Sequence, residues 1–382
     1  MRNPTREVSI GSVCIGNYHP VVVQSMCATP TQDVEATFAQ VIQLTEAGAG
    51  IVRVAVDHPR DVAAVEALSR KIAALDLPLR EKINLSVDLQ ENFRLAEALA
   101  PWVAKIRYNP GHLHHLEKDI SWREKVRWLV EVAQKEDVAL RVGVNCGSID
   151  PEKKTGEDPV FASALEHADW LEELGFERFC VSLKDSHPEN VLKINRLFAQ
   201  KRPSIPIHLG VTEAGVPSVG IPKSRAALEP LLREGIGDTL RISLTVPNER
   251  KREEVEAGQA LLDDVAANRV TVPSDWNQAG LNIISCPSCS RVQNARFVDL
   301  AMKVHEMTTY AKAYPFTIAV MGCRVNGPGE SDHADIGLWC GADRVNMKLR
   351  GKLLGSFSYD TILEKVKETL DDLILARTDS SE

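Results

Sequence analysis

Three cysteines and a glutamate near the C-terminal end carry the most specific chemistry in this sequence. They lie in Ser285-Cys286-Pro287-Ser288-Cys289 and in Gly322-Cys323-Arg324-Val325-Asn326-Gly327-Pro328-Gly329-Glu330. Two thiols at C-x-x-C spacing can open toward one metal centre from a single turn. A third sits in a Gly/Pro-rich loop, where the backbone can wrap an inorganic core. The fourth donor decides what the centre is. Cys340 would make four thiolates, as in structural zinc or an inert electron-transfer cluster. Glu330 would instead leave one iron weakly held and able to bind a substrate. Pro287 suits the first position of a following helix. The apolar period of Val292, Phe297, Leu300, Val304 and Met307 predicts that helix.

A second set of chemical residues recurs along the N-terminal two thirds of the chain. Segments 21–26, 51–57, 82–89, 105–109, 139–145, 178–186, 206–213 and 239–245 read as strands. Amphipathic helix patterns such as 33–47, 121–134 and 160–174 separate them, and Gly48, Gly175 and Gly235 mark helix ends. A short hairpin, 8–16, precedes the first unit. Eight such β-then-α units predict a closed (β/α)8 TIM barrel. A doubly wound open sheet is weaker, because no G-x-G-x-x-G follows the first strand.

Such a barrel places its ligand site at the C-terminal strand ends. There the chain puts Gln24, Ser25 and Met26, then Arg53, Asp88, Arg107 with Asn109, and Arg141 with Asn145. Ser182, Lys184 and Ser186 follow, then His208 and Glu213, then Arg241 with Ser243. Residues two apart share a face, so the arginines and Lys184 line one wall. Cations crowded in this way call for an anion, and arginine forks match phosphate oxygens. We therefore expect a phosphate or diphosphate pocket, with Arg53–Asp88 as one possible structural ion pair. Lys184 alone would also suit a Schiff-base lysine. His208 reads as a satisfied core histidine before a catalyst. Glu213, ahead of Ala214-Gly215, is expected to act at the barrel mouth. His112, His114 and His115 loosely resemble a metal tract and read first as a solvated loop.

A charged eighth helix, roughly 249–268, leads into Val272-Pro273-Ser274-Asp275. We take that segment as the boundary between a barrel domain, 1–268, and a smaller α/β domain that carries the cysteines, 269–382. The smaller domain should hold short strands near 316–321, 334–338 and 344–349, and end in an amphipathic helix over 359–375. The 382 residues suffice for a large core, and a net charge of −8 argues against general nucleic-acid binding. The N-terminus lacks the apolar core of a signal peptide and no apolar run is long enough to span a bilayer, so a cytoplasmic protein is expected. Eight cysteines in a reducing compartment are not a disulfide framework. Cys14 and Cys180 read as small core residues, and Cys27 and Cys146 as filler near strand ends.

The motifs together resemble one family. Ile15-Gly16-Asn17-Tyr18-His19-Pro20 with Val23-Gln24-Ser25-Met26, the run from Ala47 to Val56, Ile106-Arg107-Tyr108-Asn109-Pro110-Gly111 and Val142-Gly143-Val144-Asn145 belong to it. So do His208-Leu209-Gly210-Val211-Thr212-Glu213-Ala214-Gly215, Glu234-Gly235-Ile236-Gly237-Asp238-Thr239 and both cysteine stretches. With these the chain closely resembles the bacterial 4-hydroxy-3-methylbut-2-en-1-yl diphosphate synthases of the non-mevalonate isoprenoid pathway, in their compact two-domain form. It departs from the family at Ser290, where glycine is usual, and at Asn294-Ala295-Arg296.

The resemblance implies an iron–sulfur C-terminal domain, with a [4Fe-4S] cluster on Cys286, Cys289, Cys323 and Glu330 and with Cys340 outside the ligand set. It implies reductive ring opening and dehydroxylation of 2-C-methyl-D-erythritol 2,4-cyclodiphosphate to (E)-4-hydroxy-3-methylbut-2-enyl diphosphate. Arg53, Asp88, Arg107, Asn109, Arg141, Asn145, Lys184, Arg241 and Ser243 would bind substrate. Glu213, with His208 as the lesser candidate, would supply a proton. Flavodoxin or ferredoxin would deliver electrons, and the protein would be a homodimer.

Overall fold

The computed structural model of the chain describes residues 3–149, 158–271, 280–323 and 327–379. The expected boundary segment, Val272 to Asp275, lies outside them, as do Arg324, Val325 and Asn326. The chain divides into two compact units. One comprises Met1–Thr212, Ser224–Ile242 and Asn248–Val272; the other comprises Glu213–Lys223, Ser243–Pro247 and Pro273–Glu382.

The first unit opens with the expected antiparallel hairpin, Val8–Ile10 against Val13–Ile15. Its Val8, Ile10 and Ile15 pack on Ile51, Ala139 and Cys180 at the starts of barrel strands. Eight parallel strands follow: β1 (Val22–Met26), β2 (Ile51–Val56), β3 (Leu85–Leu89), β4 (Lys105–Tyr108), β5 (Ala139–Asn145), β6 (Phe179–Lys184), β7 (His208–Leu209) and β8 (Thr239–Leu240). They pair in the order β6-β5-β4-β3-β2-β1-β8-β7, and a single bridge from Val181 to Ile207 links β6 to β7. The sheet is thus a nearly closed barrel. β7 and β8 are far shorter than their apolar runs suggest. Arg241 N–H still donates to Leu209 O at 3.0 Å, but beyond it both chains leave for loops.

The connecting helices are α1 (Val34–Glu46), α2 (Pro59–Ala73), α3 (Trp122–Lys135), α4 (Pro159–Glu173), α5 (Pro188–Lys201), α6 (Pro217–Arg233) and α7 (Arg252–Ala266). α3 shows why the sequence starts a helix where it does. The Ser121 hydroxyl accepts from Glu124 N–H at 3.2 Å, and the Glu124 carboxylate accepts from Ser121 N–H at 3.1 Å. This reciprocal cap satisfies two donors that the first turn would otherwise leave open. Val126, Leu129, Val130 and Ala133 then bury one face. Gly48, Gly175 and Gly235 take φ of 105°, 68° and 83°, the left-handed helix ends expected of them.

The second unit holds a five-stranded sheet: β9 (Asn282–Ser285), β10 (Thr317–Met321), β11 (Ile336–Cys340), β12 (Arg344–Leu349) and β13 (Lys352–Ser358), in that spatial order. β9, β10 and β11 run parallel, and β12 and β13 antiparallel. The strand pattern did not reveal β9 or β13. α8 (Arg296–Met307) and α10 (Ile362–Asp379) cover the sheet, with the short α9 (Gly327–His333) between them in sequence. Phe297, Leu300 and Val304 meet Ile362, Val366 and Leu370 over Ile318, Val320, Ile336 and Leu338. The helix expected to begin at Pro287 begins at Arg296 instead. Asn294 accepts from Arg296 N–H at 2.9 Å there, so an Asx turn starts the helix and Val292 lies ahead of it.

Candidate functional site

The barrel interior is lined with buried cations. Arg53, Arg107, Arg141, Lys184 and Arg241 are 2–7% exposed, and His208 is fully buried. Their ionisation shows that they share one space. Burial first, then the charges of Arg53 and Arg107, pushes Arg141 well below its usual range. Burial, then Arg141, Arg53, Arg241 and Arg107, does the same to Lys184. Burial, then Lys184 and Arg141, holds His208 as a neutral imidazole. His208 Nδ1 faces Thr239 Oγ1 at 3.1 Å, and its Nε2 is buried without a hydrogen-bond partner. A histidine held neutral can donate a hydrogen bond but is a poor acid.

The acids are fewer. Asp88 accepts from Arg107 Nη1 at 2.8 Å, an ion pair that the sequence did not assign. The two residues face each other across the β3–β4 register, which strand order alone does not give. Arg107 also reaches Gly143 O at 2.8 Å. A Cβ on Gly143 would lie 2.1 Å from Arg107 Nε, so glycine in β5 is what admits the guanidinium. A Cβ on Gly210 would likewise lie 2.6 Å from Lys184 Nζ. Arg241 is gripped by Glu254, from α7, at 3.1 Å, and Lys251 Nζ meets the same carboxylate at 2.8 Å.

Arg141 is different. Its Nε and Nη1 are buried with no hydrogen-bond partner. Leaving a buried charged donor unsatisfied costs more than the ~1–3 kcal/mol typical of a neutral one. Two such N–H groups at the heart of a cationic cluster are complementary to an anion. Asn109 is committed within the protein, donating to Ser148 Oγ at 2.9 Å and accepting from Gly111 N–H at 3.1 Å. Asn145 is half-buried at the end of β5.

Lys105 was not singled out by sequence. It lies two residues before Arg107, fully buried, and donates to Gln24 Oε1 at 2.7 Å. Burial brings its pKa down to about 7, with Arg141 and Arg53 adding to the effect. Its i, i+2 spacing to Arg107 was the available signal. Glu254 and Lys251 had none, because a charged helix gives no hint of an inward-facing pair. Cys180 is core as expected, whereas Cys14 is only half-buried, with Sγ 3.6 Å from Ser9 Oγ. The histidine tract is not a solvated loop, since His112 is 6% exposed.

In the second unit, parallel pairing sets the thiols side by side. Ser285 lies opposite Val320, so Cys286 and Cys323 leave the same ends of adjacent strands. Gly322 N–H donates to Cys286 Sγ at 3.2 Å. Ser288 takes a left-handed φ of 49°, and its N–H also favours the ionised Cys286. Cys286 and Cys323 are buried, Cys289 is half-buried, and Glu330 on α9 is 7% exposed. Burial pushes the Cys286 thiol up to about 12, and the charges of Cys289 and Glu213 add to it. Such a thiol ionises near neutral pH only beside a cation, which deprotonates a coordinating thiol outright. Cys340 is also buried, its thiol pushed up first by burial.

Glu213 and Ser243 both fall in this unit. Glu213 has a left-handed φ of 46°, rare for a side chain of its size, and its carbonyl accepts from Ser285 N–H at 3.2 Å. Thr245 Oγ1 contacts Ser285 Oγ at 2.6 Å and donates to Cys286 O at 2.9 Å, bracing the first cysteine turn.

A protein of Rhodopirellula baltica named 4-hydroxy-3-methylbut-2-en-1-yl diphosphate synthase (flavodoxin) is 55% identical over 382 residues, 98% of each chain. A protein of the same name from Clostridium perfringens is 35% identical over 97% of this chain and 99% of its own. One from Nautilia profundicola is 36% identical over 96% and 97%. The family profile described as the GcpE TIM-barrel domain matches residues 5–259, and that of the GcpE protein C-terminal domain matches 282–372. The chain therefore belongs to the GcpE family.

Proposed function

We propose that this chain reduces 2-C-methyl-D-erythritol 2,4-cyclodiphosphate to (E)-4-hydroxy-3-methylbut-2-enyl diphosphate, opening the ring with two electrons and losing a hydroxyl as water. The observation that carries the reading is Arg141, with two buried guanidinium nitrogens lacking partners amid other cations. A diphosphate supplies what they lack, and relatives across the full length bear the name of this enzyme.

Arg53, Arg107, Arg141 and Lys184 hold the diphosphate, whose charge favours the cationic forms of Lys184 and Arg141. Arg241, tied to Glu254, and Asp88, tied to Arg107, position these groups as much as they bind. Asn109 and Asn145 complete the polar lining. Cys286, Cys289 and Cys323 supply three soft donors to a [4Fe-4S] cluster, and Glu330 a hard oxygen as the fourth. Two N–H groups trained on Cys286 fit a cluster thiolate, whose potential such hydrogen bonds tune. When bound, the cluster supplies single electrons and a Lewis-acidic iron. Glu213 holds the proton for the departing hydroxyl. Its carboxylate sits close enough to Cys286 to act on that thiol's charge. His208, held neutral, donates a hydrogen bond and leaves the acid role to Glu213.

Flavodoxin, named with the relatives, delivers the electrons, and the enzyme works as a cytoplasmic homodimer. Among the described residues no helix is long and apolar enough to cross a membrane. The test is electron paramagnetic resonance of anaerobic, dithionite-reduced protein with and without the cyclodiphosphate. A cluster signal that changes on addition, with turnover on reduced flavodoxin, is the expected result. Colourless protein with stoichiometric zinc, or borohydride trapping of Lys184 with a carbonyl compound, would overturn the reading in favour of a Schiff-base lyase.

A further inference from the structure

The loop after β4 carries a group that the proposed reaction leaves unused. His112 N–H donates to Asn109 O at 3.1 Å, Leu113 N–H to Pro110 O at 3.3 Å, and His115 N–H to His112 O at 3.2 Å. These are successive turns of 3₁₀ type, in which residues three apart eclipse each other. His112 and His115 therefore stack on one face, with ring centroids 4.7 Å apart. Glu91, from the end of β3, completes the face, its Oε1 3.3 Å from His115 Nδ1. One donor atom from each of Glu91, His112 and His115 lies within 4.8 Å of the others.

Zinc–ligand bonds of ~2.0–2.1 Å imply donor separations of roughly 3.3 Å in a tetrahedron. The Glu91–His115 pair already has that spacing, and small side-chain rotations bring in His112. The backbone beneath is fixed. Lys125, 2% exposed, donates to Leu113 O at 2.7 Å and to Leu116 O at 2.5 Å. Gln90 Nε2 lies 3.0 Å and 3.1 Å from the ring nitrogens of His112, and a turn of that amide would bring its oxygen to accept the N–H of a ligating imidazole. The nearby guanidinium of Arg94 is taken up by Glu117 at 2.7 Å.

We propose that Glu91, His112 and His115 form a binding site for a divalent transition ion of the zinc class. Two imidazoles and one carboxylate select such ions over magnesium or calcium, which prefer oxygen alone. Three protein ligands leave a fourth position for water or an anion. The site is on the loop that begins at Asn109, so a bound ion adds positive charge next to a residue of the proposed substrate lining.

The test uses anaerobically prepared, iron-loaded protein and needs no turnover. The protein is dialysed against micromolar zinc, and bound zinc and iron are measured, with calorimetric titration of zinc and, separately, magnesium. One zinc per chain beyond the iron is expected. At least tenfold weaker binding is expected in His115→Ala and in Glu91→Ala, with iron content unchanged. Glu91 is exposed, so its variant separates ligand loss from misfolding. Zinc retained undiminished in both variants, no zinc taken up, or magnesium bound equally well would each overturn the assignment.

Discussion

The two units hold their chemical groups in opposite ways. In the barrel unit the groups are cations on hydrogen-bonded strands, and sheet register fixes where each one points. Burial and mutual repulsion act on Arg141, Lys184, His208 and Lys105 alike, pushing all four toward their neutral forms. Asp88 pairs with Arg107 and also favours the charged Arg141, while Glu254 pairs with Arg241. In the cysteine unit Cys286, Cys289 and Cys323 lie beyond the strand ends, and burial pushes Cys286 and Cys340 toward the neutral thiol. On the proposed reading, one site takes negative charge and the other positive. An anion should stabilise the first unit, and a metal centre the second.

That contrast is broken most severely at the thiols. Cys286→Ser should abolish turnover and lower the iron content, since an alcohol is a poor iron ligand. Glu330→Ala should spare the three thiolates and most of the iron yet lose activity. Unchanged turnover in Glu330→Ala would remove the carboxylate from the donor set. Next comes the proton. Glu213→Gln should lower kcat by roughly 10²–10⁴ with little change in KM, the usual span for general acid catalysis. A normal kcat there would move the donor elsewhere.

In the barrel the expected effect is on binding. Arg141→Ala removes charge-assisted hydrogen bonds worth ~1.5–3 kcal/mol, so KM should rise about 10- to 100-fold. Sequence made this residue visible, along with the rest of the β-then-α rhythm, because apolar strands and amphipathic helices differ in period. It did not reveal how the charges are shared. Asp88 meets Arg107 because register, not strand order, sets the neighbour. Glu254 enters from α7, on a helix whose charged pattern conceals an inward face. The thiols were legible from spacing, and their convergence depends on the parallel pairing of β9 with β10, of which β9 itself was not foreseen. A four-residue strand with only two buried positions has too little alternation to register.

The smallest predicted effect tests the barrel's charge excess directly. Lys105 is fully buried, and its pKa falls from the ordinary 10.5 to about 7. Between those values the unfolded chain binds a proton that the folded chain releases. Stability from this group therefore rises with pH across the window, by up to about 1.4 kcal/mol per pH unit, and its burial penalty is greatest below pH 7. Lys105→Met keeps the bulk and removes the titration. Urea unfolding followed by circular dichroism at pH 7.5 and pH 9 should show the wild type gaining more stability than the variant. Other titrating groups cancel in that difference. Equal gains would mean that Lys105 remains charged in the fold, and the repulsion inferred for the whole barrel wall would be overstated.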